Sequence, residues 1–301
     1  MRLLLTTAFA CLLSACGATA TSTRSEATAP SPGAAYPIRL SRDTRPGATW
    51  REHVELRTSQ RESTTLAARN VADERTTLAI DLDARITVRE VDERGRATRT
   101  VVSVERFVVD TGQGPITPVI PGELVVSRLG GTIESPAGAL DPQTLEWLGE
   151  VLEIDEPRDA SDDDIFGTRE PQPIGASWGI DTALAARSLA TVGVHVRHDH
   201  LGGQARLVDR VRLRDVDCLL VRAELSARGI EMPSLPPGAR IARSDVRGTM
   251  ESALPLDLAR RPQRETVQMQ VRIELEMATE AGTATVRLDG EQHVVREIVD
   301  E

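Results

Sequence analysis

Two stretches of the chain alternate apolar with small or polar residues. Leu78, Ile80, Leu82, Ala84, Ile86 and Val88 alternate with Ala79, Asp81, Asp83, Arg85 and Thr87. Val267, Met269, Val271, Ile273, Leu275 and Met277 alternate with Gln268, Gln270, Arg272, Glu274 and Glu276. Period two places one set on each side of an extended backbone, so each stretch predicts a long strand with one dry and one wet face. Such strands belong to antiparallel sheets, because a parallel sheet is covered on both faces.

The rest of the pattern fills in around these two. Trp50–Thr58 alternates weakly. Arg96–Val109 pairs with 78–91 across the turn Asp92-Glu93-Arg94-Gly95. Glu123–Ile133 predicts a strand bent at Gly130-Gly131. Val192–His200, Ala205–Leu213, Asp217–Arg228 and Ala239–Pro255 predict further strands, with turns at Leu201-Gly202-Gly203 and Arg214-Asp215-Val216. Ala284–Leu288 and His293–Val299 predict a last pair around Asp289-Gly290. Two helices interrupt the strands. Asp141 caps the first, Pro142 opens it, and Leu145, Leu148, Val151 and Leu152 form its apolar stripe to near Ile154. The second starts at Asp181 and carries Leu184, Ala185 and Leu189. Asp155–Pro173, acidic and Pro-bearing, reads as a loop between them. The expected fold is mainly β: a large antiparallel sheet forming an unclosed barrel, or two related β halves, with two short helices. An echo favours two halves, since Pro46-Gly47-Ala48-Thr49-Trp50 matches Ile174-Gly175-Ala176-Ser177-Trp178 in kind. The halves would be 36–140 and 172–301, joined by helix and acidic loop 141–171.

The N-terminus breaks this pattern. Arg2 is followed by an apolar run, Leu3 to Leu13, too short to span a bilayer, which needs about 20 apolar residues. It ends at Leu13-Ser14-Ala15-Cys16. This run resembles the lipobox of bacterial lipoproteins, which implies a signal peptide over 1–15 and an acylated Cys16 as the first mature residue. The resemblance implies membrane attachment through two or three acyl chains, palmitate among them, and two suffice for stable anchoring. Residues 16–35 then form a tether of Ala, Thr, Ser, Pro and Gly, too poor in apolar surface to order itself. Gly17, where an Asp would retain a lipoprotein of an enteric bacterium in its inner membrane, fits the outer membrane of a Gram-negative envelope, facing the periplasm.

Composition narrows the partners. The net charge is −10, which argues against nucleic acid and against peripheral binding to anionic lipid. The 36 basic residues are all Arg, so no lysine serves as Schiff-base former or amine base. Past the lipobox only Cys218 remains, within the apolar run Cys218-Leu219-Leu220-Val221, where it reads as a small core residue.

Three groups could carry chemistry. Gly175-Ala176-Ser177-Trp178-Gly179 matches the G-x-S-x-G elbow of serine hydrolases, with His293 downstream. The elbow needs a buried strand before the serine, and Pro171 and Pro173 stand there instead. His195, His198 and His200 lie close together, but on a strand only His198 and His200 share a face, short of a metal-ligand set. Asp162-Asp163-Asp164, with Asp155, Glu156 and Asp159 nearby, lacks the spacing of a calcium loop and reads as a solvated surface. No catalytic residue, metal or cofactor is assigned.

Long alternating strands, two inserted helices and a lipobox together resemble the periplasmic lipoprotein carriers and receptors, whose unclosed barrel is lidded by helices over an apolar cavity. The G-x-x-W strand starts resemble those of lipoproteins from GC-rich bacteria. These resemblances imply a membrane-anchored, non-enzymatic envelope lipoprotein that binds a lipid or other apolar ligand. The alternatives are a protein-interaction module at the outer membrane and a hydrolase using Ser177.

Overall fold

The computed structural model describes residues 34–67, 69–128, 131–152, 160–191, 193–233, 235–279 and 282–300. Cys16, the signal segment, most of the tether and Asp155, Glu156 and Asp159 lie outside the described residues. In chain order the strands of the first half are β1 (Ala35–Tyr36), β2 (Thr49–Leu66), β3 (Arg69–Val91), β4 (Ala97–Asp110), β5 (Pro115–Ile116), β6 (Leu124–Ser127) and β7 (Thr132–Glu134). Helices α1 (Pro142–Val151) and α2 (Asp162–Phe166) follow, then β8 (Gln172–Pro173), β9 (Ser177–Gly179) and α3 (Thr182–Thr191). The remainder is β10 (Leu201–Leu213), β11 (Val216–Arg228), β12 (Ala239–Pro255), β13 (Arg264–Thr279) and β14 (Gly282–Asp300).

Twelve strands form one open antiparallel sheet in the order β7-β6-β4-β3-β2-β14-β13-β12-β11-β10-β9, with β5 beside β4. β1 and β8 form a separate small ladder. The two halves are therefore one sheet, joined where β14 pairs with β2 along its length, from Ala284 opposite Leu66 to Asp300 opposite Trp50.

Cross-strand register puts nearly all buried apolar side chains on one face, because directly paired residues point to the same side. One row runs Leu207, Val221, Ser252, Glu265, Arg296, Val54, Leu82, Phe107 from β10 to β4. This inner face holds two cores. The first gathers Val54, Leu56, Ile80, Leu82, Phe107 and Val109 beneath Leu148, Val151 and Leu152 of α1 and its end. The second gathers Leu207, Val221, Met250, Val267, Met269 and Ile273 beneath Ile165 and Phe166 of α2, Ala185 and Leu189 of α3, and the entering residues Ile38 and Leu40. The outer face is polar. Its charges pair across strands, as in Arg61 with Asp73 at 2.6 Å, Arg222 with Glu251 at 3.1 Å and Arg287 with Glu274 at 3.1 Å.

Both predicted helices form. Asp141 caps α1 by accepting from the N–H groups of Gln143 and Thr144. Its buried stripe is Thr144, Leu148 and Val151, ending in Leu152, while Leu145 points to solvent. The expected loop 155–173 contains a third helix. Ser161 and Asp164 form a reciprocal capping box at the start of α2, and the three aspartates occupy its first turn, where carboxylates favour the helix dipole.

Other expectations are corrected. Val192–His200 is not a strand. Among its described residues His195 makes one bridge to Glu231, and His198–His200 form a 3-10 turn. Gly202-Gly203 is not a turn but lies within β10, where a Cβ on Gly203 would stand 2.5 Å from the carbonyl oxygen of Glu224. Asp289-Gly290 likewise lies inside the continuous strand β14. The single strand expected over Glu123–Ile133 is two, β6 and β7. β3 extends to Arg69, well past the apolar alternation, since the β2–β3 hairpin keeps pairing where no core covers it.

The echoed motifs adopt one local structure. Gly47 and Gly175 have φ of 84° and 88°. Gly47 donates to the carbonyl of Val88, and Val88 donates back to Ala48, at 2.9 Å each. Gly175 donates to Leu207 at 2.7 Å, and Leu207 donates back to Ala176 at 3.0 Å. In each case a glycine turn delivers a tryptophan onto a core, Trp50 into the first and Trp178 against the second.

Candidate functional site

The residues singled out in the sequence do not converge. Ser177 is exposed on the short strand β9, paired with Arg206. His293 lies on β14, five strand positions away, about 24 Å at 4.8 Å per strand. No nucleophile–base contact joins them. His195, His198 and His200 are exposed, and their neighbour Asp199 is held by the Arg197 guanidinium, which brings its pKa down to about 2. Asp163 accepts from the backbone N–H groups of Leu40 at 2.7 Å and Ser41 at 3.2 Å, fastening the entering chain to α2. Cys218 is fully buried, and burial pushes its thiol up to about 12, which removes it as a nucleophile.

What the fold does bring together is a polar seam across the middle of the inner face, where β2, β14 and β13 meet α1. Arg296 lies 2.8 Å from Glu52, with both side chains below a tenth exposed. Glu52 also accepts from the indole N–H of Trp50 at 3.1 Å. Arg296 donates to the carbonyl of Val151 at 3.2 Å, satisfying an unpaired carbonyl in the last turn of α1. The guanidinium of Arg261 lies 3.6 Å over the Trp50 ring and also bonds Thr44. One strand further, Glu265 is buried between Ser252 and Arg296. Burial, then the charges of Asp162 and Glu52, hold its carboxyl well above the ordinary range.

The seam has two consequences for binding. It latches α1 to β14, so that the first core is closed by a polar bond as well as by packing. It also divides the apolar face. Towards the far end of β2 the division continues through Thr58, Gln60, Glu62 and Thr64, which face the same side. Sequence reasoning missed the seam because its members, Trp50, Glu52, Arg261, Glu265 and Arg296, are spread over the whole chain. The one signal was polar residues at dry positions, since Glu52 and Arg296 fall in phase with Val54 and Val294. On the sheet away from the seam, a cleft of about 380 Å³ opens at Gly290, walled by Arg61, Arg75, Arg272, Asp289 and Glu291. Among the described residues, one group has metal-ligand spacing: His53, Asp81 and Asp83, on the outer face.

Fold and seam define the class: a large open antiparallel sheet with short helices closed against one face. No family model matches the chain, and no curated protein matches it. Among solved structures it is similar to a LolA superfamily protein from Nitrosomonas europaea, at 10% identity over 82% of this chain and 86% of that one, with a TM-score of 0.13. It is similar to an outer membrane channel from Pseudomonas putida F1, at 12% identity over 86% and 97%, with a TM-score of 0.20. The outer membrane protease OmpT from Escherichia coli matches at 8% identity over 84% and 97%, with a TM-score of 0.17.

Proposed function

We propose that this chain is a lipid-anchored, non-enzymatic lipoprotein of the bacterial cell envelope that binds a lipid or other apolar ligand on the inner face of its sheet. The lipobox supports the anchor. The observation that carries the binding role is that one broad apolar face is covered by separate short lids instead of a second sheet. The closed lids leave little space beneath them. Val54, Leu56, Leu207 and Val221 have no accessible surface, and a side chain lining a void wide enough for water would have some. Ligand entry therefore requires a lid to lift. Exposing Leu148, Val151 and Leu152 costs about 5–9 kcal/mol, at roughly 1.5–3 kcal/mol per side chain. An acyl chain of about ten methylenes taken out of water onto this face returns about 8 kcal/mol. The exchange is close to balanced, as reversible loading demands.

A second reading, an interaction module, draws on one feature. β4 stops pairing with β3 at Ala79, and no described strand pairs with β3 on that side from Arg69 to Thr76. That is roughly 26 Å of open edge at 3.3 Å per residue, with Val71 59% exposed on it, where a partner's strand could add.

Native mass spectrometry of the chain, released gently from envelope extract, separates the two. Extra mass that dissociates as lipid supports the ligand reading. A bare mass, with no lipid in the solvent extract, overturns it and directs attention to Val71, where a photo-cross-linker would capture a strand-adding partner. Fluorophosphonate labelling at Ser177 would overturn the non-enzymatic reading.

A further inference from the structure

Several charges on the outer face pair across strands one to one, as Arg61 with Asp73 and Arg287 with Glu274 do, but one block of acids gathers around a histidine. His53 and Glu55 on β2 stand directly opposite Asp83 and Asp81 on β3. All four share a face, and like charges directly opposed, as Glu55 and Asp81 are, repel. Arginines neutralise the block from its rim. Arg57 lies 3.6 Å from Glu55, and Arg106 reaches Oδ2 of Asp81 at 3.0 Å and Oδ2 of Asp83 at 3.8 Å. The other oxygen of each aspartate turns inward, towards the imidazole. Nδ1 of His53 is 2.8 Å from Oδ1 of Asp83 and 4.0 Å from Oδ1 of Asp81. Oδ1 of Asp81 is hidden from solvent and has no hydrogen-bond partner. A hidden carboxylate oxygen left unpaired is costly.

The geometry fits an ion at the centre. The three donor atoms lie within 4.8 Å of one another. Two donors on one tetrahedral ion, each about 2.0–2.1 Å from it, stand about 3.3 Å apart, and the observed 2.8 and 4.0 Å lie on either side of that value. On the far side of the ring, Nε2 is 3.5 Å from Oε1 of Glu55. A carboxylate in that place is the usual partner that orients a metal-binding histidine. One imidazole with two carboxylates suits first-row transition metals better than calcium or magnesium, which take oxygen alone.

We propose that His53 Nδ1, Asp81 Oδ1 and Asp83 Oδ1 bind a divalent transition-metal ion, with Glu55 as the outer partner of His53. The ion takes the place of the His53–Asp83 hydrogen bond, pairs the orphaned oxygen of Asp81, and leaves its remaining positions to water. The site faces away from the lids and is independent of the ligand reading above.

The test is calorimetric titration of Zn²⁺ into the purified full chain. One equivalent is expected to bind, with a rise in melting temperature. His53→Ala should abolish that binding. Glu55→Gln should weaken it about 10–100-fold while keeping the one-to-one stoichiometry. A His198→Ala/His200→Ala double variant should retain it. In the unaltered protein, substoichiometric Mn²⁺ should broaden the ring protons of His53 before those of the other histidines. Failure of the wild-type chain to bind one equivalent, retention of binding in His53→Ala, or uniform broadening of the histidines would overturn the proposal.

Discussion

The seam makes the sharpest stability prediction. Replacing Arg296 by Met leaves Glu52 with the Trp50 indole but without its cation, at a place where both side chains are below a tenth exposed. Breaking a buried pair by removing one partner costs about 3–5 kcal/mol, mostly through the stranded charge. Arg296→Met should sit at the upper end, because the carbonyl of Val151 also loses its donor. Glu52→Gln should cost less, since an amide still accepts from Trp50. The double variant should recover most of the loss, ending within about 1–2 kcal/mol of wild type, because no buried charge remains. The coupling between the two sites should then be at least about 2 kcal/mol. Urea unfolding followed by circular dichroism and by tryptophan fluorescence measures all four states. Trp50 and Trp147 both lie at the first core, so fluorescence senses the region directly. Two single variants each costing under about 1 kcal/mol and adding in the double would refute the account, and would mean that packing alone holds α1.

Further outcomes follow from the same geometry. The raised pKa of Glu265 means that the folded state holds its proton above the ordinary 4.5 while the unfolded chain releases it; stability should therefore fall as pH rises from 4.5 towards the raised value, and Glu265→Gln should flatten that part of the pH–stability curve. Leu148→Ala, at a fully buried position of α1, should cost about 2–5 kcal/mol in urea unfolding and should loosen the lid more than the sheet by hydrogen exchange. Gly47→Ala and Gly175→Ala meet open space but a left-handed backbone. Each should lower stability by about 1–2 kcal/mol, and closely similar losses would mark the two motifs as one device used twice.

How much of this was legible depended on whether a residue's partner lay nearby in the sequence. The alternation at 78–88 and 267–277, the turn at Asp92–Gly95 and the start Asp141-Pro142 are local signals, and each produced the element expected. Glycine misled twice. Gly203 and Gly290 both lie inside strands; at Gly203 the Glu224 carbonyl leaves no room for a Cβ, a neighbour the sequence does not show, while at Gly290 a Cβ would meet only ordinary contacts at 4.0 Å. The aspartates at 162–164 read as solvent-facing, while their role in capping depended on Ser161 and on a core beneath Ile165 and Phe166. The outer parts of β2 and β3 carry no apolar alternation, because neither face is covered there. The seam left one local trace, polar residues at dry positions, and the His53 block left none. His-x-Glu and Asp-x-Asp are each unremarkable on a strand, and only the register of β2 against β3 sets them face to face.

The pairing of β2 with β14 also sets an order in time. β2 is made early and acquires β3 at once, but its other neighbour is the last strand of the sheet to be synthesised. Until β14 emerges, β2 has a bare edge, Glu52 has no cation, and the first core lacks Ile298 and Val294. Contacts this remote in sequence form slowly. A chain cut before Gly282 would lose a strand from the interior of the sheet, not from its rim. Each half would then present an unpaired edge, the state in which a partly folded β protein is most open to aggregation.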